Sequence, residues 1–268
     1  MDIATMALAN AMSAKETGSM CPKHHCPLLS TKSVRDGALR TYCPQCDQET
    51  LKAIQLDFDC RAQAGIEARK FRENSLVNPK MWDCTFDTFN AEEGSREAVL
   101  KKKVGKAAEA FAAKKVAHHA VLYGQPGAGK SHLAMALMQK VHQTSGQSMA
   151  FINISRLFSH IKNSFDDSSE FWTKEKALEI MTGVDLLCID DLGTESSMGR
   201  TGQEATKWAQ DVIYDVLENQ DRIIITTNLS ERELKRVYDA KIFSRIFANS
   251  QNTRLDFTGI SDKRLAGV

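Results

Sequence analysis

From Ala117 onward, short apolar runs alternate with amphipathic stretches. Ala120-Val121-Leu122-Tyr123 predicts a buried strand, followed by a glycine-rich turn and a helix from Lys130 to about His142. Ser148–Ile152, Val184–Ile189 and Arg222–Thr227 predict three more strands. A helix over 203–219 places Trp208, Val212, Ile213, Val216 and Leu217 on one face. Apolar strands alternating with helices predict an α/β fold, a parallel sheet covered by helices on both faces.

Upstream the pattern weakens. Residues 95–115 predict a helix with an Ala/Phe face and a lysine side (Lys101, Lys102, Lys103, Lys106) that reads as solvated. Residues 50–78 predict a helical connector, closed by Asn78-Pro79 because the residue before proline avoids the α region. The first 49 residues hold three of the five prolines and too few large apolar side chains to fold by burial alone. Three segments follow: a small N-terminal domain over 1–49, a connector over 50–78 and a larger domain over 79–268.

Composition adds little. The 268 residues are 42% hydrophobic and 26% charged, as in an ordinary globular chain. Lys plus Arg number 35 against 34 acids, and the balance holds on both sides of Asn78 (10 against 9, then 25 against 25). A general polyanion binder is excluded, so any nucleic-acid surface must be local. No apolar run reaches the roughly 18–20 residues a membrane span needs. The start, Met1–Met12, has Asp2 where a signal peptide carries positive charge, and reads as an amphipathic helix or frayed tail. A cytoplasmic protein without membrane contact is expected.

Seven cysteines stand at 21, 26, 43, 46, 60, 84 and 188, four of them within 26 residues. Cys21-Pro22-Lys23-His24-His25-Cys26 and Cys43-Pro44-Gln45-Cys46 are two close ligand pairs joined by a loop, the pattern of a tetrahedral zinc site. Cys43 and Cys46 form one pair. The other is Cys21 with His24 or Cys21 with Cys26. Four protein ligands would make the Zn²⁺ structural. Cys60, Cys84 and Cys188 read as small buried hydrophobes.

Gly124-Gln125-Pro126-Gly127-Ala128-Gly129-Lys130-Ser131, followed by His132, satisfies the P-loop pattern between a predicted strand and a predicted helix. Its glycines let backbone N–H groups turn inward around phosphates, at the positive end of the helix dipole. Lys130 then reaches the β- and γ-phosphates of ATP, and Ser131 offers a hydroxyl to Mg²⁺. Sixty residues on, Leu186–Ile189 ends in Asp190 and Asp191, placing two acids at the ligand-collecting edge of a parallel sheet. Asp190 would hold Mg²⁺, and Asp191 would orient or deprotonate the attacking water. Asn228 ends the next strand, within reach of the γ-phosphate.

With these pieces placed, the chain resembles the DnaC/DnaI-type replicative helicase loaders of the AAA+ superfamily, in a phage or prophage version. The resemblance rests on the P-loop, on Asp190-Asp191-Leu192-Gly193, on Ile225-Thr226-Thr227-Asn228-Leu229, on Ile242-Phe243-Ser244-Arg245-Ile246 and on Thr85-Phe86-Asp87-Thr88-Phe89. An N-terminal Cys-x₂-His…Cys-x₂-Cys knuckle belongs to it too, and favours His24 over Cys26. It implies that Asn228 is sensor 1, Arg245 an arginine finger for a neighbouring subunit's ATP, and Arg264 sensor 2, with Lys263 its rival. Where many AAA+ proteins carry Glu, this chain has Asp191, which implies slow or DNA-dependent hydrolysis. The implied partners are a DnaB-type helicase, gripped by the zinc domain, and single-stranded DNA, with self-association through the ATP site. Arg156 and Lys162 are candidate DNA contacts. An IstB-like transposase helper, or a helicase adaptor with little turnover, would share the same core.

Overall fold

The computed structural model describes residues 14–33, 37–113, 119–194, 206–248 and 250–263, without the side chains of Cys60 and Arg61. The readings of residues 1–12, of a helix start at 203, of Cys60 as a buried hydrophobe and of Arg264 therefore lie outside the described residues. The chain divides into two compact units, residues 1–65 and 66–268.

In the first unit β1 (Lys15–Met20), β2 (Pro27–Lys32) and β3 (Leu39–Tyr42) form an antiparallel sheet in that order. Every residue of β1 is exposed, so no apolar alternation marks these strands in the sequence. Helix α1 (Pro44–Glu73) starts inside the second cysteine pair, with Pro44 at a position that needs no backbone donor. It runs unbroken across the expected boundary at residue 50.

The second unit begins before the boundary expected at Asn78. Phe71 is buried against Trp82 (ring centroids 5.0 Å apart) and His142. Leu76 then pairs with the edge of β5 (Met149–Asn153): its N–H donates to Phe151 O at 2.9 Å, and Asn153 N–H donates to Leu76 O at 3.0 Å. Asn78 caps a 3₁₀ turn, Pro79–Asp83.

The remaining elements are α2 (Arg96–Ala112), β4 (His119–Tyr123), α3 (Lys130–Ser145), β5, α4 (Ile154–Asn163), α5 (Lys174–Gly183), β6 (Leu186–Leu192), α6 (Lys207–Asn219), β7 (Ile223–Thr227), α7 (Glu231–Val237), α8 (Ala240–Ile246) and β8 (Arg254–Asp256). The five strands form one parallel sheet in the order β5-β6-β7-β4-β8. The first four of these strands are the predicted ones. The edge strand β8 is only three residues long, too short for a periodicity to show.

Strand alternation sorts the core onto two faces. Ile223 and Ile225 pack with Leu157, Ile161, Val212, Ile213 and Val216 from α4 and α6. Ile224, between them, packs on the other face with Val104 and Phe111 of α2 and with Leu133 and Leu137 of α3. Each of the four long strands is thus apolar on both sides, as a sheet covered twice requires. Lys102, Lys103 and Lys106 stand exposed on α2. Cys188 is buried in the sheet, whereas Cys84, at the exit of the 3₁₀ turn, is partly exposed. No helix among the described residues is long and apolar enough to cross a membrane.

Candidate functional site

Strand order decides which side chains meet. Between β4, which feeds the glycine-rich turn, and β6, which ends in the acids, lies β7. Asn228, just past β7, is therefore interposed between Lys130 and the acid pair. Lys130 is buried, and its ammonium donates to Gly124 O (2.7 Å), Gln125 O (2.8 Å) and Asn228 Oδ1 (2.7 Å). Lys130 and Asn228, 98 residues apart, form one polar centre.

The acid pair is tied down from both sides. Thr226, fully buried in β7, donates its hydroxyl to Asp190 Oδ1 at 2.7 Å and accepts the Asp191 N–H at 2.9 Å. On the opposite side, the Asn153 amide donates to Asp190 Oδ2 (3.3 Å) and Asp191 Oδ2 (3.4 Å). Its oxygen meanwhile caps α4 by accepting the Arg156 N–H. Sequence reasoning missed Asn153 and Thr226. The signal available was their place at the C-terminal ends of predicted strands, where parallel-sheet proteins collect ligands.

These groups open onto a cleft of about 1180 Å³ lined by Pro126, Gly127, Gly129, Lys130, Ser131, His132, Asp191 and Asn228 on one side and by residues 88–92 on the other. Gly124, Gln125, Ala128 and Asp190 stand behind this lining rather than in it. The glycines also answer to the protein around the loop. Gly129 has φ +87°, and a Cβ there would lie 2.5 Å from the Phe89 ring; at Gly124 (φ +133°) it would lie 2.7 Å from the Phe257 backbone. A larger residue at either place meets both a disfavoured backbone region and a clash.

His132 supports the opposite wall, with Nε2 2.9 Å from Thr85 O and 3.2 Å from Thr88 Oγ1 and its ring edge-on to Phe89. Burial, above all, lowers its imidazole pKa. The C-terminal segment closes a third side. Gln125 donates to Ile260 O, Lys263 N–H donates to Gly127 O, and the Lys263 ammonium donates to Asn90 O above the Phe89 ring. Lys263 thus stands in the cleft. Arg245 does not: it packs on α6, against Tyr214 and Glu218.

The first unit carries a second site. Cys21, His24, Cys43 and Cys46 converge, with all four ligand atoms within 4.8 Å of one another. The turn between β1 and β2 is tight, its Cys21 N–H donating to Cys26 O at 2.8 Å, and β3 delivers Cys43 to the start of α1. A tetrahedral Zn²⁺ with 2.3 Å sulfur and 2.0–2.1 Å nitrogen bonds needs edges of about 3.8 Å (S···S) and about 3.6 Å (S···N). Here Cys21 Sγ lies 3.8 Å from Cys46 Sγ, and His24 Nδ1 lies 3.5 Å from Cys43 Sγ and 3.3 Å from Cys46 Sγ. The donor set fits zinc. Cys26, the alternative ligand, touches Cys43 Sγ at 3.3 Å but is not one of the four.

Glu49, one turn into α1, was not legible as part of this site. Its Oε1 lies 3.1 Å from His24 Nε2, fixing the ring so that Nδ1 faces the thiols. That hydrogen bond, first among several, raises the His24 pKa, and the bond from Lys23 lowers that of Glu49. Burial opposes ionisation of Cys43, yet the Cys46 amide and the neighbouring donors outweigh it and bring the thiol to about 6.

A glycine-rich loop, a buried lysine, two strand-end acids and a strand-end asparagine on a five-stranded parallel sheet define a P-loop nucleotide-binding protein of the AAA+ class. The sequence profile of the IstB-like ATP binding protein family matches residues 88–248, and the chain belongs to that family. It is 25% identical over 192 residues to a replicative helicase loader DnaC of Buchnera aphidicola (Schizaphis graminum), covering 69% of this chain and 72% of that one. It is 23% identical over 207 residues to the replicative helicase loader DnaC of Escherichia coli K12, covering 75% and 77%. Among solved structures, a DnaC helicase loader (TM-score 0.52, 21% identity, 67% of this chain and 99% of that one) and a DnaI (TM-score 0.52, 21% identity, 68% and 95%) share the fold.

Proposed function

We propose that this protein is an ATP-dependent loader that binds a DnaB-type replicative helicase and delivers it to single-stranded DNA. The observation that carries the reading is similarity to proteins named replicative helicase loader DnaC over 69–75% of the chain, with the P-loop centre inside the matched family region.

ATP would enter the cleft with its phosphates on the Gly124–Ser131 loop. Lys130, already held at the loop mouth, would exchange carbonyl and amide acceptors for phosphate oxygens. Asn228, hydrogen-bonded to that lysine, would register whether a γ-phosphate is there. Ser131 and Asp190 would hold Mg²⁺, which when bound neutralises charge building on the phosphates. Asp191, exposed to the cleft, would take the proton of the attacking water. Arg245 lies outside its own subunit's cleft, which suits a finger completing a neighbour's site. Lys263, placed in the cleft, is our choice for the sensor 2 cation. Cys21, His24, Cys43 and Cys46 would hold a structural Zn²⁺, and the small unit built on it would grip the helicase.

The exposed faces support the single-strand reading. Phe165 and Phe171 stand 69% and 55% exposed after α4, beside exposed Lys162, with Arg156 on the same helix. Exposed aromatics among cations form a stacking platform for unpaired bases. The test is co-elution of the full chain with a DnaB-type helicase, with and without ATP and Mg²⁺. A stoichiometric complex lost in a Cys43→Ser/Cys46→Ser variant is the expected result. No complex in any nucleotide state overturns the reading in favour of a transposase helper. A complex that an Asp191→Asn variant forms and releases normally would instead mark an adaptor that needs no turnover.

A further inference from the structure

The core-facing positions of α6, Val212, Ile213, Val216 and Leu217, leave Tyr214 and Glu218 side by side on its flank, four residues and one turn apart. Helix α8 packs against α6. It buries Ile242 and Ile246 and turns Arg245 onto that same flank. The guanidinium carbon sits 4.5 Å from the centre of the Tyr214 ring. Its Nη2 donates to Tyr214 Oη at 3.2 Å and pairs with Glu218 Oε2. Every polar contact that the Arg245 side chain makes with the described residues uses Nη2. Nη1 and Nε make none, and the side chain is 29% exposed. Nη2 is clamped, and the Nη1 and Nε donors are left to donate singly.

We infer that Glu218 and Tyr214 are positioning residues that hold the Arg245 guanidinium by its face and by Nη2, so that the Nη1 donor is aimed at a neighbouring subunit's nucleotide. The inference rests on the reading of Arg245 as a finger. An unheld arginine must lose its rotamer freedom at each encounter, and its fork must find the right plane. The cradle fixes plane and reach beforehand, on a helix anchored in the core. Glu218 pairs with Nη2 alone, so it steers the cation and leaves the Nη1 hydrogens for a phosphate oxygen.

The experiment measures ATP turnover of the full chain with saturating oligo(dT), over a range of protein concentrations, alone and with helicase. In the parent protein, turnover per subunit rises on assembly, and Arg245→Ala removes that rise, by about 10³-fold or more. Glu218→Gln, which keeps shape but not charge, lowers kcat of the assembled form roughly tenfold and leaves KM for ATP and the melting temperature unchanged. Tyr214→Phe, which keeps the ring but not the hydroxyl, has a smaller effect of the same kind. Added to Arg245→Ala, Glu218→Gln has no further effect. A Glu218→Gln loss that persists in the Arg245→Ala background, or a Glu218→Gln protein as fast as or faster than the parent, overturns the cradle while leaving the finger standing. An Arg245→Ala protein with full assembly-dependent turnover overturns the finger, and the cradle with it.

Discussion

Replacing Thr226 by Val keeps the β-branched shape inside the sheet and removes one hydroxyl. That hydroxyl gives Asp190 its shortest hydrogen bond, 2.7 Å, and accepts the Asp191 N–H at 2.9 Å. Without it the buried Asp190 carboxylate keeps the longer 3.3 Å contact with Asn153, and the Asp191 amide loses this acceptor. A hydrogen bond to a charged group contributes about 1.5–3 kcal/mol, and the lost bond of the part-buried Asp191 amide about 0.5–1.5 kcal/mol more. Partial relaxation brings the sum to about 3 kcal/mol. Thr226→Ser is the control: it keeps the hydroxyl and loses one methyl, for about 1 kcal/mol. All three tryptophans, Trp82, Trp172 and Trp208, lie in the second unit, so their fluorescence in urea follows that unit alone. With a slope of about 2 kcal/mol/M, Thr226→Val should unfold at a midpoint about 1.5 M lower and Thr226→Ser about 0.5 M lower. A valine variant as stable as the serine variant would refute the claim that this hydroxyl holds the acid pair.

Other consequences can be measured directly. The full chain should contain one zinc per subunit, and Glu49→Gln should weaken zinc retention against a competing chelator about tenfold or more, because the His24 ring loses its anchor; metal analysis of the purified chain checks both. Phe165→Ala should weaken oligo(dT) binding about tenfold with an unchanged salt slope, whereas Lys162→Ala should flatten that slope. His119 is buried, which, first among its causes, lowers its pKa even though it contacts Ile246 O. The unfolded chain then binds the proton more readily than the native one, so stability should fall as pH drops from about 6.5 toward the lowered native value. A His119→Asn variant should show a shallower decline of melting temperature over that range.

What the sequence made legible was local. The four long strands and their helices follow from uninterrupted apolar runs and helical periodicity. The P-loop and the acid pair are contiguous, so their chemistry could be read in place. What stayed hidden depends on strand order. That Asn153 and Thr226 meet the two acids, and that Asn228, already read as a site residue, bonds the P-loop lysine, follows from the order β5-β6-β7-β4, which no periodicity encodes. Strands β1–β3, none of which has a fully buried residue, lack apolar alternation because close cross-strand pairing and converging thiols organise them. The C-terminal segment over the P-loop was hidden for a third reason. Apart from the Lys263 ammonium, whose residue the sequence already offered, it acts through backbone groups, Ile260 O and Lys263 N–H, and backbone groups leave no mark on composition.

The identity of the second acid follows from the same backbone. In a regular strand, adjacent side chains point to opposite faces, so Asp190 and Asp191 could not both serve one site. The β6–β7 register shifts between Ile189 and Leu192, and Asp191 takes φ +58°, in the left-handed region. That kink breaks the alternation, and one amide, that of Asn153, reaches both carboxylates. Aspartate is among the few side chains that enter this region readily, because its short polar arm hydrogen-bonds locally; glutamate carries the ordinary penalty of about 1 kcal/mol or more. The shorter acid at 191, which the resemblance to AAA+ loaders marks as a departure, is then what the kinked strand favours. The reach lost with one methylene accompanies the bend that turns the carboxylate into the cleft.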